Sequence, residues 1–317
     1  MSDMATQILE GLTKAMLADD KVLCLGNETE TQGGLFGATR GLVEDFGPER
    51  VLTLPDNPRA QLATALGMAH AGLRPVLSLN FGDDVLGALD ILCDDIATLR
   101  YRSGGQNSCP MVLRLPSGGG IGAGPAHSRD LARELGGQAG LRVVACGSAA
   151  TAKSLIEQAI RSDDPVVLLE PKSLYRERAA ARVAELDRAL VLHQGDDLSL
   201  FAWGAAVPVA REAVEQAAEL GIEIELIDLV SINPLDEETI LSSLRKTGRG
   251  VIVEEGSKRG GIGAEVAAVI AERAIDSLEA PLLRVAGWNT PLSRCGEELY
   301  RPDCGRVMRA VEQVIDF

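Results

Sequence analysis

Two adjacent carboxylates, Asp83 and Asp84, and one histidine, His127, are the residues of this chain best suited by type and spacing to do chemistry. The carboxylates follow an apolar run, Pro75 to Phe81, that reads as a buried strand. The segment after them reads as a helix ending in Arg100-Tyr101-Arg102-Ser103-Gly104-Gly105. Strand, carboxylate-bearing turn, helix is where an α/β sheet presents its reactive groups, outside the carboxyl ends of the strands. His127 follows a glycine loop, Ser117-Gly118-Gly119-Gly120-Ile121-Gly122-Ala123-Gly124, and precedes Ser128. Imidazole gives or takes a proton near neutral pH. A site role and a plain loop position are both open for His127 on the residues alone. The loop reads as a mobile cover over a site; the alternative is a cradle of backbone N–H groups for a phosphate. His70, inside a helical stretch, and His193, in a polar one, read as structural or solvated.

Several other chemistries are excluded. The glycine loop lacks the Lys-Ser/Thr ending of a nucleoside-triphosphate loop. Gly260-Gly261-Ile262-Gly263 does not have the G-x-G-x-x-G spacing and reads as a tight strand-to-helix turn. Ser128, His127 and Asp83 come without a G-x-S-x-G elbow, which sets aside a serine hydrolase. The six cysteines form no C-x-x-C, and no histidine stands at zinc-ligand spacing from them. They are expected as reduced thiols, several of them buried as small apolar groups. The formal charge of −15 argues against nucleic acid, which needs a clustered basic surface. No signal peptide and no membrane span are read, so a cytoplasmic location is expected.

Strands and helices alternate along the whole chain. Apolar periodicity predicts helices at Ala5 to Leu17, Ala38 to Phe46, Ala60 to Ala71 and Ala149 to Arg161. Strands are predicted at Lys21 to Leu25, Val51 to Leu54, Pro110 to Leu115, Leu141 to Ala145 and Pro165 to Glu170. Charge rises and periodicity weakens from Glu177 to Gln194, which reads as a connector. A second alternating unit follows, with strands beginning at Leu198, Ile222, Gly250 and Pro281. The expected fold class is α/β with two doubly wound domains, 1–185 and 186–317, each a mostly parallel sheet between helices.

The order of motifs resembles one family, the β component of thiamine-diphosphate-dependent 2-oxo acid dehydrogenases of the pyruvate dehydrogenase type. The resemblance rests on Gly26-Asn27-Glu28 with Gly33-Gly34-Leu35-Phe36, on Phe46-Gly47-Pro48-Glu49-Arg50-Val51, and on Ala71-Gly72-Leu73-Arg74-Pro75-Val76. It continues through Arg100 to Gly105, the glycine loop with His127-Ser128, Glu170-Pro171-Lys172, Asn233-Pro234-Leu235-Asp236 and Gly261-Ile262-Gly263-Ala264-Glu265. It implies a transketolase-type pyrimidine-binding domain followed by a transketolase C-terminal-type domain. It implies thiamine diphosphate and Mg²⁺ as cofactors, both held mainly by a separate α subunit with a Gly-Asp-Gly motif that this chain lacks. An α2β2 heterotetramer is the implied assembly, with a lipoyl or acyl-carrier domain as acceptor.

The resemblance also assigns site residues and exposes departures. The family's glutamate that bonds N1′ of the aminopyrimidine falls on Pro58. Its Phe-x-Asp-Phe motif keeps Phe81 and Asp83, but the pyrimidine-stacking aromatic falls on Asp84. A second family histidine falls on Gly137, whereas the histidine facing the substrate carbonyl matches His127. Glu28 matches a member of an acidic chain linking two cofactors. The expected function is cleavage next to a carbonyl and transfer of an acyl or two-carbon unit together with the α subunit. Two alternatives stand beside it: two-carbon ketol transfer from a ketose phosphate to a carrier, and a non-catalytic scaffold.

Overall fold

The computed structural model describes residues 1–30 and 33–317. Two sheets carry the chain. In the first run β1 (Val22–Gly26), β2 (Val51–Thr53), β3 (Arg74–Ser78), β4 (Val112–Ser117), β5 (Arg142–Ala145) and β6 (Val166–Pro171). In the second run β7 (Leu190–His193), β8 (Leu198–Ala202), β9 (Ile224–Asp228), β11 (Gly250–Ser257) and β12 (Leu283–Gly287), while β10 (Ser231–Asn233) returns to the first. The first sheet has the order β10-β5-β6-β4-β3-β1-β2 and the second β12-β11-β8-β9-β7. All neighbours are parallel except β10 on β5 and β7 on β9. β1, β4 and β6 are buried along their whole length. Strands covered on both faces read as near-continuous apolar runs, as Val-Leu-Cys-Leu-Gly does, and the charged exceptions Arg114 and Glu170 pair with each other at 2.7 Å.

Seven helices of eleven residues or more cover the sheets: α1 (Met4–Ala18), α2 (Pro58–His70), α3 (Ala149–Arg161), α4 (Ala206–Glu219), α5 (Glu237–Thr247), α6 (Ile262–Arg273) and α7 (Cys304–Ile315). Their starts are written in the sequence. Asp3 accepts from Thr6 N at 2.9 Å, Asn57 from Ala60 N at 3.1 Å and Asp303 from Arg306 N at 2.7 Å. Each satisfies an N–H that the helix itself cannot. Pro58 opens α2 at the position where a missing N–H costs nothing.

Two apolar layers flank the first sheet. On one side Met4, Ile8, Leu12 and Met16 of α1 meet Leu155, Ile156 and Ala159 of α3. On the other, Leu62, Ala65 and Ala69 of α2 belong to a buried cluster that runs on to Phe201, Ile227, Ile252 and Val266 of the second unit. The two sheets therefore share a core, and the cleft between them has a fixed shape.

Three expectations need correction. The stretch after Asp84 is not one helix: a 3₁₀ segment (Gly82–Ala88), a π turn (Ile91–Ile96) and a short α-helix (Leu99–Arg102) follow one another. Within the stretch read as a connector lie two strands not predicted: Arg178–Ala179, which pairs with Ser2–Asp3, and β7, which edges the second sheet. The helix expected from Ala38 is confined to Leu42–Phe46.

Candidate active site

In the first sheet the chain goes from β1 outward to β2 and then back to β3 on the other side of β1. The loops leaving β1 and β3 therefore diverge, and the crevice between them is where open α/β sheets bind ligands. Gly26 ends β1 against the carbonyl of Ser78 at the end of β3, so closely that a Cβ would collide with it. Asn27 follows. Its side-chain amide donates to Asp56 Oδ1 at 2.6 Å, and its Oδ1 accepts from Gln61 Nε2 at 2.6 Å. Gln61 also donates to Pro55 O at 2.8 Å and is almost fully buried on α2. These contacts tie the end of β1 to the β2–α2 turn, where Pro58 stands half-buried with no group to donate or accept. Glu30 makes a second tie, accepting from Thr53 N at 2.7 Å. Glu28 is exposed at a left-handed φ of 52°, pointing out of this network.

After β3 come Phe81, Asp83 and Asp84. The Phe81 ring packs on the His127 ring, centroids 4.3 Å apart and tilted by 30°. Asp84 lies where His127 and Asp56 both act on its charge. Burial raises the Asp84 carboxyl above the usual range, His127 pulls it down and Asp56 pushes it up. Asp83 turns the other way, into the protein. It accepts from Arg129 N at 3.2 Å and faces the buried Lys172. Burial raises its carboxyl too, and its Oδ2 has no partner. His127 Nδ1 is likewise buried without a partner among the described residues. Phe81, Asp84 and His127 thus meet at the end of β3, while Pro58 stands at the start of α2. Asp83 is a support and Glu28 stands outside.

The glycine loop is neither a free cover nor an open anion cradle. Gly119 N donates to Glu255 Oε1 at 3.2 Å, and Gly120 N and Gly122 N donate to Glu297, the latter at 2.9 Å. Both carboxylates come from the second unit. A side chain at Gly120 would collide with Ser173, and Gly118, Gly120, Gly122 and Gly124 all have a left-handed φ, from 65° to 102°, which favours glycine along this run. Arg301 Nε balances Glu255 at 2.8 Å. Beneath the loop, burial lowers Lys172 from the ordinary ammonium range against the pull of Asp83 and Glu255. The second unit therefore holds the segment that carries His127. Glu297→Ala should leave the partly buried N–H groups of Gly120 and Gly122 without their acceptor and lower unfolding stability by about 1 kcal/mol. Glu297→Gln, which keeps an acceptor, should lose less; urea denaturation of both variants measures this.

Gln61, Asn27, Lys172, Glu255 and Glu297 were not singled out by sequence reasoning. A glutamine on the Ala/Leu face of α2 was the one local signal.

The sequence matches the family described as transketolase, pyrimidine binding domain, over residues 1–178 and transketolase, C-terminal domain, over residues 187–307. It is 39% identical to the pyruvate dehydrogenase E1 component subunit beta of Leifsonia xyli, over 99% of this chain and 95% of the relative. The chain belongs to the E1 β-subunit family. The corresponding Bacillus subtilis subunit is 37% identical over 99% of this chain and 98% of its own length. The 2-oxoisovalerate dehydrogenase subunit beta of Pseudomonas aeruginosa is 37% identical over 94% of this chain and 90% of its own. A split-gene transketolase solved as an inactive β4 tetramer shares the fold, with a TM-score of 0.81 and 22% identity over 99% of this chain and 98% of that one. These E1 β-subunit relatives align with this chain over nearly their whole length.

Proposed function

We propose that this chain is the β subunit of a thiamine-diphosphate-dependent enzyme that cleaves next to a carbonyl and passes on an acyl or two-carbon unit, with a separate α subunit completing the site. The observation that carries the reading is the meeting of Phe81, Asp84 and His127 at the switch point of the first sheet, in a member of the E1 β-subunit family. The crevice fits the pyrimidine end of that cofactor. Phe81 offers an apolar ring, and Asp84 offers a carboxyl whose raised pKa lets it share a proton with N1′, the contact Pro58 cannot make. Among the described residues no group of three ligating side chains could hold a metal ion. Mg²⁺ and the diphosphate would be held mainly by the α subunit.

When bound, thiamine diphosphate supplies the carbon that attacks the carbonyl and stores the electron pair released on cleavage. The chain's own residues orient and exchange protons. Asp84 holds the proton at N1′. His127, with Nδ1 unspent on the protein and its ring fixed on Phe81, donates toward the substrate oxygen as negative charge grows there. Asn27, Asp56 and Gln61 hold the two loops that form the wall.

One observation favours a second reading, a scaffold subunit: Pro58 removes the family's N1′ carboxyl. Exchange of the cofactor's C2 proton in the assembled complex separates the two. Wild type should exchange faster than free cofactor, Asp84→Asn should slow the exchange, and Pro58→Glu should restore or raise it. Wild-type exchange no faster than that of free cofactor sinks the active reading and leaves the scaffold. Fast exchange in Asp84→Asn keeps catalysis but removes Asp84 from N1′.

A further inference from the structure

On the second unit, away from the crevice residues, five basic side chains line one cavity of about 830 Å³: Lys258, Arg259, Arg284, Arg306 and Arg309. No acidic residue lines it. Among the described residues none of the five forms an ion pair with a carboxylate within 4.0 Å. Elsewhere on the chain basic groups do find partners, as Arg74 meets Asp163 at 2.7 Å and Arg249 meets Glu279 at 2.8 Å. In a protein of net charge −15, five uncompensated cations converging on one hollow need a reason. Two carboxylates lie near the cluster. Asp303 faces Arg306 but caps α7. Glu254 lies against the start of α6, where burial pushes it up to about 8 and Arg284 and Lys258 pull it down.

Trp288 shares the wall. The Arg306 guanidinium sits 4.7 Å from its ring centroid, and its Nε1 donates to Leu299 O at 2.9 Å. Arg306 itself donates to the carbonyls of Tyr300, Arg301 and Ala286, which fixes both groups. The indole is nevertheless 56% exposed. A held aromatic ring with free surface, beside several cations, suits a planar group linked to a multiply charged anion. The hollow is of the size that takes small molecules and is open to solvent, with Lys258, Arg259 and Arg309 exposed along it.

We propose that this cavity binds a small phosphorylated ligand with a planar ring, of the nucleoside diphosphate type, its phosphates on Lys258, Arg259, Arg284 and Arg309 and its ring on Trp288. The chain has two tryptophans, and Trp203 is buried, so a Trp203→Phe background makes emission report Trp288 alone. The full-length chain is titrated with ADP, with pyrophosphate and with a hexaglutamate peptide. ADP should change Trp288 emission saturably, with half-saturation below about 1 mM. Pyrophosphate should displace it, and hexaglutamate should do so only at higher concentration. Arg259→Ser with Arg309→Ser, both exposed, should raise half-saturation by about tenfold or more. No saturable change with ADP overturns the proposal, as does an unaltered half-saturation in the double variant. Tighter displacement by hexaglutamate than by pyrophosphate assigns the face to an acidic peptide instead. Repeating the titration on the assembled complex loaded with thiamine diphosphate should leave ADP binding in place. Displacement by the bound cofactor would put ADP in the cofactor crevice and refute the separate site.

Discussion

Replacing His127 by Ala should lower turnover of the assembled complex by about 10²-fold or more, the usual scale of a positioned proton donor or acceptor. The fold should not change, because the residue is half-buried and stands on a loop outside the helices and strands. His127 Nδ1 is buried with no partner among the described residues, and a buried nitrogen left unpaired costs about 1–3 kcal/mol. Such a cost is tolerated where a substrate supplies the missing partner. The neighbouring Asp84, raised by burial and lowered by His127, adds a second group able to exchange a proton in the same crevice. The loss should fall on kcat more than on KM, since the interaction strengthens as charge develops. His127→Asn, which keeps a donor, should recover part of it. Turnover equal to wild type in both variants would make His127 an ordinary loop residue.

Much of this architecture was legible in the residues. A fully apolar strand such as Val22–Gly26, and the apolar run Val166–Leu169, read as central, and the alternation with amphipathic helices predicts a parallel sheet. Asp84 and His127 stood out because glycine-marked turns place them at strand ends, where side chains reach ligands. The latch did not stand out, because Gly120 and Glu297 are 177 residues apart and neither has a local signature. Gln61 was hidden for the same reason: its partners Asn27 and Pro55 lie on other segments. The break of the helix after Asp84 escaped because apolar spacing near 3.6 does not separate α from 3₁₀ or π turns over six or seven residues. β7 escaped because it is a four-residue edge strand among Arg182, Glu185, Asp187 and Arg188, where charge masks the pattern.

In the proposed function this chain builds only the pyrimidine side of a cofactor site and needs an α subunit for the rest. The crevice holds Phe81, Asp84 and His127, while no described cluster of ligating side chains could take a metal ion. Half a site gives little affinity, because the charged diphosphate and its cation would remain in water. Calorimetric titration of thiamine diphosphate with Mg²⁺ tests this directly, on the isolated chain and on the complex with its α subunit. The account predicts affinity at least about 10²-fold higher in the complex, a difference of about 2.7 kcal/mol. Micromolar binding by the isolated chain, equal to that of the complex, would contradict it.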